Sequence, residues 1–558
     1  MATLSETPHP MIRLRMFPIK IYPLCEKALC IDWGNCIDEE INSNVTALNR
    51  LLLKDPFLGF IETVPAYSTL TIYYQPELVA KENNNPFLYI KNYVEDLLPA
   101  IKISDQSPVK IIEVPVCYDH EFGPDLEFVA ASNHLTKEEV IAIHCSKEYS
   151  VYMMGFLPGF AYMGELEDAI ATPRKKTPRA NVENGSVGIA GKQTGIYPIT
   201  SPGGWQIIGR TTLKLFDMQN ENPFALKTGD RVRFIPFSKK EFINSLSLQK
   251  QIQYPAEEIK PPAAMIIRPG PGSTIQDKGR WGFQSFGVPV CGAMDELAFS
   301  QANALVGNPK ESAVIECTMG GLLIQCRKKL CIAITGAGAA FVNHRPIKNF
   351  QPLTLWVNDL LEIKYNHDGI RTYVSVAGGF AAPRIMNSLS TYAPAGIGHF
   401  LKKGEELYIE QEGTYISGKM DPDYKPNLYS PNARVRVMDG PEMDWMEAPA
   451  KEGLWQQDFL ISVQSGRMGL RLKAKPLSPQ NKTELVSTAV TKGTIQLTPD
   501  GQLIILMSDS QTTGGYPRIA QVAAVDLPIL AQLKPGDSVR FENITPREAE
   551  ELFLSWKK

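Results

Sequence analysis

Between residues 186 and 236 apolar and polar positions alternate in short runs, SVGIAG, WQIIGRT, LKLFD and DRVRFIPF, broken by glycine and proline. A period of two over four to eight residues predicts half-buried strands joined by tight turns. Upstream the period changes. ALCIDWG and TLTIYYQPE have strand character, whereas EEINSNVTALNRLLLKD and NPFLYIKNYVEDLLPAI carry apolar residues at helical spacing, so residues 12–100 are expected to form a small α+β unit. Thr136 is the expected N-cap of a short helix, with Glu139 three places on completing a capping box. His144, in IAIHCSKEYSVYMMGF, falls in a strand-like context, where a lone histidine is expected to be a hydrogen-bonded structural residue. Beyond Ser238 a helix and a polar connector are predicted, with a domain boundary near 262. MDELAFSQANALVG is a helix ending at Gly307, and LCIAITGAGAAF is a strand and turn, because Phe341 stands where a dinucleotide fingerprint needs its third glycine.

Two segments recur in order. GKQTGIYP (191–198) resembles DSQTTGGYP (509–517), and ALKTGDRVRF (225–234) resembles AQLKPGDSVRF (531–541). Recurrence of both implies two barrel-like lobes of common architecture, with QTGIYP and QTTGGYP at equivalent loops. The expected fold is mainly β with α+β subdomains and two barrel lobes in tandem. The domains run 12–100 (α+β), 101–245 (first barrel), 246–262 (linker), 263–430 (β-rich) and 431–558 (second barrel).

Composition narrows the function. The chain has 558 residues, 44% of them hydrophobic, enough for several cores, and its net charge of −3 gives no pull toward nucleic acid or anionic membrane. No apolar run reaches about 18 residues, and the start lacks the apolar core of a secretory signal, so a soluble cytoplasmic protein is expected. Nine cysteines show no CxxC spacing, which predicts reduced thiols and no metal site.

The stretch from Gly155 to Thr211 gathers glycine, proline, hydroxyls, Gln193, Tyr197 and Trp205 between short apolar runs, as one wall of a ligand site would. Recurrence of Gln193, Thr194 and Tyr197 as Gln511, Thr512 and Tyr516 extends that wall to the second half. No Walker A motif is present: GIAGKQ lacks the spaced first glycine and the hydroxyl after lysine.

Longer blocks carry a resemblance. EFGPDLEFVA (121–130), GFLPGFAYMG (155–164), TPRANV (177–182), GSVGIAGKQTGIYP (185–198) and SPGGWQIIGRT (201–211) are similar to the B subunit of 5-oxoprolinase. RPGPGSTIQDKGRWGFQSFGVPVCGAMD (268–295), ANALVGN (302–308), GPEMDWM (440–446), SGRMGLRL (465–472) and DSQTTGGYPRIAQV (509–522) resemble its C subunit. The chain departs from the family pattern at Glu183, Thr212 and Leu389. The resemblance implies cyclophilin-like β-barrels and ATP-dependent opening of 5-oxoproline to glutamate together with a separate A subunit. ATP with Mg²⁺ is the implied cofactor, and a homo-oligomer is compatible with this. A γ-lactam is a resonance-stabilised amide, so phosphorylation of its carbonyl oxygen would make it a better electrophile.

Such a route needs cations for phosphate and a carboxylate for metal or water. The candidates are Arg179, Lys192 and Arg210 in the first half and Arg280, Arg467, Arg471 and Arg518 in the second, with Asp125, Asp277 and Asp509 as acid, base or metal groups. The expectation is one composite site between the halves. Gln193, Tyr197, Gln511 and Tyr516 would form its wall, and the cations would face phosphate or carboxylate on a small lactam or amide substrate. The alternatives are carboxyltransferase-like lobes related to urea carboxylase, and a regulatory protein that binds a histidine kinase.

Overall fold

The computed structural model describes residues 19–101, 110–248, 261–411, 429–478 and 484–557. The connector after the helix Lys239–Leu248 lies, from 249 to 260, outside the described residues. Strands Lys20–Cys25, Ala28–Asp32, Thr69–Tyr74 and Phe60–Pro65 form one antiparallel sheet in that spatial order. The helix Glu39–Lys54 starts where the Asp38 carboxylate accepts from Ile41 N, and its stripe of Ile41, Val45, Leu48 and Leu52 is buried against this sheet.

Two seven-stranded barrels follow, with one strand order. In barrel one Ile111–Val116 pairs in parallel with Arg231–Pro236, and the sheet continues through Glu148–Met154, Ala161–Met163, Gln193–Ile196, Ser186–Ala190 and Gln206–Arg210. A bridge from Cys117 to Arg210 nearly closes it. In barrel two Asn432–Asp439 pairs in parallel with Ser538–Asn543, then come Phe459–Ile461, Gly469–Lys473, Leu503–Leu506, Thr494–Leu497 and Arg518–Val522, which returns to the first strand. Between the barrels in sequence lie a seven-stranded and a five-stranded sheet sharing a core that includes Ile266, Ile324, Ile332 and Val374.

The order of pairing tests the repeats. Arg231–Pro236 and Ser538–Asn543 occupy the same place, so the LKxGDxVRF repeat is real. The QTGIYP match is not. Gln193–Ile196 is a barrel strand whose counterpart is Leu503–Leu506, while Gln511 falls after that counterpart, in the connection to Arg518–Val522. The short strands Ser201–Gly203 and Thr513–Gly514, each paired outside its barrel, are the equivalent pieces. Tyr516 therefore corresponds to Trp205 rather than to Tyr197.

His144 also departs from expectation. It closes the helix Lys137–Cys145, which begins in the predicted capping box of Thr136 and Glu139. It is nevertheless structural: Thr194 donates to Gly188 O at 3.2 Å, so His144 Nε2 donates to Thr194 Oγ1 at 3.0 Å and Nδ1 accepts from the Tyr118 hydroxyl at 2.8 Å. Burial pushes its imidazole down to about 3, so it stays neutral. The helix Glu296–Leu305 and the strand Leu330–Gly336 form as expected, and all nine cysteines are free. Among the described residues no helix is long and apolar enough to cross a membrane.

The N-terminal sheet docks on the second half through buried polar groups. Glu62 accepts from Gly282 N, Gln284 N and Gln284 Nε2 at 2.8, 2.8 and 3.0 Å. Glu26 accepts from Ala524 N at 2.8 Å, and the hydroxyls of Thr69 and Thr488 meet at 2.8 Å. Within the second half, Glu316 receives Met294 N, the Tyr373 hydroxyl and the Arg467 guanidinium. Burial alone would raise its carboxyl, but Arg467 and Arg371 more than offset that and hold it below the ordinary range.

Glu26 has one oxygen without a partner, and burial pushes its carboxyl up to about 7 from an ordinary 4.5. The folded state then binds more protons than the unfolded one between those values, so its contribution to stability falls as pH rises through them. Glu26→Gln keeps the acceptor and removes the charge. Its melting temperature, measured against the parent, should be more favourable at pH 8 than at pH 5, and an equal difference at both would show that Glu26 does not titrate in this range.

Candidate functional site

Where the N-terminal sheet meets barrel two, a cleft of about 640 Å³ opens between the halves. Tyr22, Asp32 and Trp33 form one wall, Glu442, Trp445 and Arg518 the other, and Ser68, Thr69, Val486 and Thr488 border its inner end. A junction of separately folded units is where ligand clefts concentrate. Asp32 is oriented by Gly34 N at 2.7 Å and the Tyr22 hydroxyl at 3.3 Å.

Arg518 is the predicted cation that lines this cleft, yet its donors are occupied. Nε and Nη2 donate to Glu442 at 2.9 and 2.7 Å, Nη1 to Ala489 O at 3.2 Å, and Nη2 to the Tyr22 hydroxyl at 3.1 Å. A buried guanidinium needs this saturation. Arg518 thus clamps barrel two to the N-terminal sheet, with little donor capacity left for a phosphate.

The other predicted cations are mostly committed too. Arg179 makes a two-pronged contact with Asp125, both bonds 2.7 Å, and Lys175 adds a third at 3.0 Å. Burial would raise the Asp125 carboxyl, but these cations and Ile207 N hold it below the ordinary range. Lys192 pairs with Asp168 at the surface. Arg210 pairs with Glu183, so one departure from the family pattern supplies a partner to a predicted cation. Arg280 is buried and donates to Ile385 O and Ser390 O, and Arg467 holds Asp509, Glu316 and Gly292 O. Arg471 is exposed on its barrel strand, away from the cleft lining.

Asp277 is buried, with both carboxylate oxygens occupied. It accepts from the hydroxyls of Ser388 and Ser390 and from Leu389 N and Gly279 N, fixing the loop that carries Leu389. Thr194 is buried on His144 and faces the barrel core. Tyr197 is buried against Phe160, and a Cβ on Gly203 would collide with its hydroxyl. Thr512 is buried, Gln511 is half-buried, and Tyr516 is 44% exposed.

The two predicted wall segments do approach one seam. A Cβ on Gly155 would collide with the Thr513 hydroxyl, and Val486 packs on the cluster of Tyr67, Tyr162, Tyr197 and Trp205. They lie behind the cleft rather than in its lining. Sequence reasoning missed Tyr22, Trp33, Tyr67 and Trp445. Trp445 stood within the GPEMDWM block, but no spacing links Tyr22 to an arginine 496 positions away.

The carboxyltransferase domain, subdomain C and D, matches residues 19–226, and the carboxyltransferase domain, subdomain A and B, matches residues 286–543. The 5-oxoprolinase B subunit of Bacillus subtilis is 46% identical over 227 residues, 40% of this chain and 95% of that protein. The 5-oxoprolinase C subunit of Escherichia coli is 36% identical over 289 residues, 51% of this chain and 92% of that protein. The chain belongs to the family of 5-oxoprolinase B and C subunits, fused in that order. The crystal structure of TTHA0988 matches with a TM-score of 0.80 at 30% identity, covering 92% of this chain and 99% of that one. The cleft therefore lies between the B-like half, which supplies Tyr22 and Trp33, and the C-like half, which supplies Trp445 and Arg518.

ATP with Mg²⁺ is poorly matched by these residues. A triphosphate cradle needs several uncommitted cations or backbone donors converging on one point, whereas Arg179, Lys192, Arg210, Arg467 and Arg518 are each paired with a carboxylate. Among the described residues no cluster of three or more His, Cys, Asp or Glu is placed to hold a metal ion.

Removal of these cations should separate two roles. Arg518→Ala leaves Glu442 buried and unpaired and should cost about 3–5 kcal/mol of stability. Lys192→Ala breaks an exposed pair and should change stability by less than about 1 kcal/mol. Denaturant melts of both variants check this, and an unaltered Arg518→Ala midpoint would make Arg518 a ligand group rather than a clamp.

Proposed function

We propose that this chain is the fused B–C component of a 5-oxoprolinase, opening 5-oxo-L-proline to L-glutamate in an assembly with a separate A subunit. One observation carries the reading: each half aligns with nearly the whole of a different 5-oxoprolinase subunit, 95% of one and 92% of the other. The buried contacts between the halves and the cleft at their junction are consistent with one joint site.

Division of labour follows from the inventory of side chains. This chain supplies a cleft with aromatic walls and oriented polar groups, suited to a small cyclic amide. Its cations are largely consumed by internal carboxylates, so the nucleotide and its Mg²⁺ are assigned to the partner or to the interface with it. A second reading rests on the matched domain descriptions, which name a carboxyltransferase; it would require a biotin-bearing partner, since the sequence contains no Met-Lys-Met.

The test is a coupled assay of 5-oxoproline-dependent ADP and glutamate release. The purified chain alone should be inactive, and turnover should appear once the A subunit is added. Efficient hydrolysis of allophanate by the chain alone, or carboxylation with a biotinylated carrier and no response to 5-oxoproline, would overturn the proposal.

A further inference from the structure

The cleft between the halves holds one pair of opposite charges that the fold leaves open. Lys20 and Asp32 face each other across the first strand pair, and both line the cleft. Facing residues of an antiparallel pair leave the same side of the sheet with Cβ atoms about 5 Å apart. Opposite charges so placed commonly close an ion pair, yet these two make none, and Lys20 has no hydrogen bond among the described residues. Arg518, the other cation of the lining, is consumed by Glu442. Among the described residues, Lys20 is thus the cation of the cleft with open donors.

Asp32 is oriented but not saturated. Its Oδ1 accepts from Gly34 N at 2.7 Å and its Oδ2 from the Tyr22 hydroxyl at 3.3 Å. Tyr22 in turn accepts from Arg518 Nη2 at 3.1 Å, which leaves its own proton for Asp32. An ionised carboxylate offers about four acceptor positions, so Asp32 keeps room for a further donor. The loop beyond it is clasped across the junction: Asn35 Nδ2 donates to Glu484 O at 3.0 Å, and its Oδ1 accepts from Val486 N at 2.7 Å. That clasp fixes the Asp32 wall against the C-like half. Trp33 and Trp445 line the same space from the two walls and offer it apolar surface. Asp439, also in the lining, is exposed and accepts from Asn543 Nδ2 at 3.2 Å.

A cation and a carboxylate this close, each with open capacity, complement a ligand that carries an anion and an N–H donor on neighbouring atoms. A phosphate would set its charge against Asp32, whereas a carboxylic acid with nitrogen on its α-carbon satisfies both groups. We propose that Lys20 and Asp32 are the recognition pair of the cleft for such an acid, Lys20 taking its carboxylate and Asp32 its N–H, with the rest of the ligand against Trp33 and Trp445. The pair stands on this geometry alone; that its acid is 5-oxo-L-proline rests on the oxoprolinase reading.

The full chain is titrated by calorimetry with four probes: 5-oxo-L-proline, its N-methyl derivative, its neutral amide 5-oxo-L-prolinamide, and the open-chain acid N-acetylglycine. The two acids that keep an N–H should bind, and the N-methyl acid and the amide should bind about fivefold more weakly or worse. Lys20→Met should weaken both N–H acids by about fivefold and leave the amide unchanged, with the melting temperature within about two degrees because the side chain is exposed and unpaired. Asp32→Asn should weaken them by about tenfold and reduce the preference over the N-methyl acid. Binding of N-acetylglycine that depends on Lys20 and Asp32, without binding of 5-oxoproline, would support the pair and overturn the oxoprolinase reading. Binding of 5-oxoproline unaffected by either substitution would overturn the pair alone. Equal binding of the N-methyl acid or the amide, or no binding of either N–H acid, would likewise overturn it.

Discussion

Buried carboxylates of the N-terminal sheet that accept backbone N–H groups of the second half set the arrangement of this molecule. Glu62 gathers three donors from Gly282 and Gln284, and Glu26 takes one from Ala524. Such bonds are directional and fail steeply with misplacement. Desolvating a carboxylate is tolerated only when those donors are in place, so the sheet has one docking position. The cleft, the Arg518 clamp and the insertion of Tyr67 beneath barrel one all depend on that position. The B-like half and the C-like half are thereby joined by packing as well as by the chain.

The barrels show how a repeat is conserved in architecture and lost in detail. Both pair their first and last strands in parallel, Ile111–Val116 with Arg231–Pro236 and Asn432–Asp439 with Ser538–Asn543. The last strand is paired on both edges in each barrel, so its register is fixed from both sides, which explains why LKxGDxVRF recurs in each copy. Gln193 and Gln511 have no such common constraint. One begins a barrel strand and the other lies in a connection, so their similar letters mark different positions.

The fate of the cations follows from the cost of burial. Arg467 and Arg518 sit where water is scarce, and each has a carboxylate opposite it at 2.7 Å. A guanidinium in such surroundings persists when paired, and pairing consumes the donors a ligand would use.

The sequence by itself determined the strand-rich fold, the capped helix at Thr136, the helix ending near Gly307, the duplicated closing strand and the family. These rest on local periodicity, turn chemistry and long blocks, all of which are written in consecutive residues. It misplaced His144, because IAIHC in isolation suits a strand as well as a buried helix end. It also misaligned the QTGIYP repeat, because register belongs to pairing between strands. Tertiary structure alone decided which cations are free, which carboxylates are saturated and which residues face the cleft. Tyr22 meets Arg518, and Tyr67 meets Tyr162, through docking geometry, and no spacing along the chain encodes where two separately folded surfaces come together.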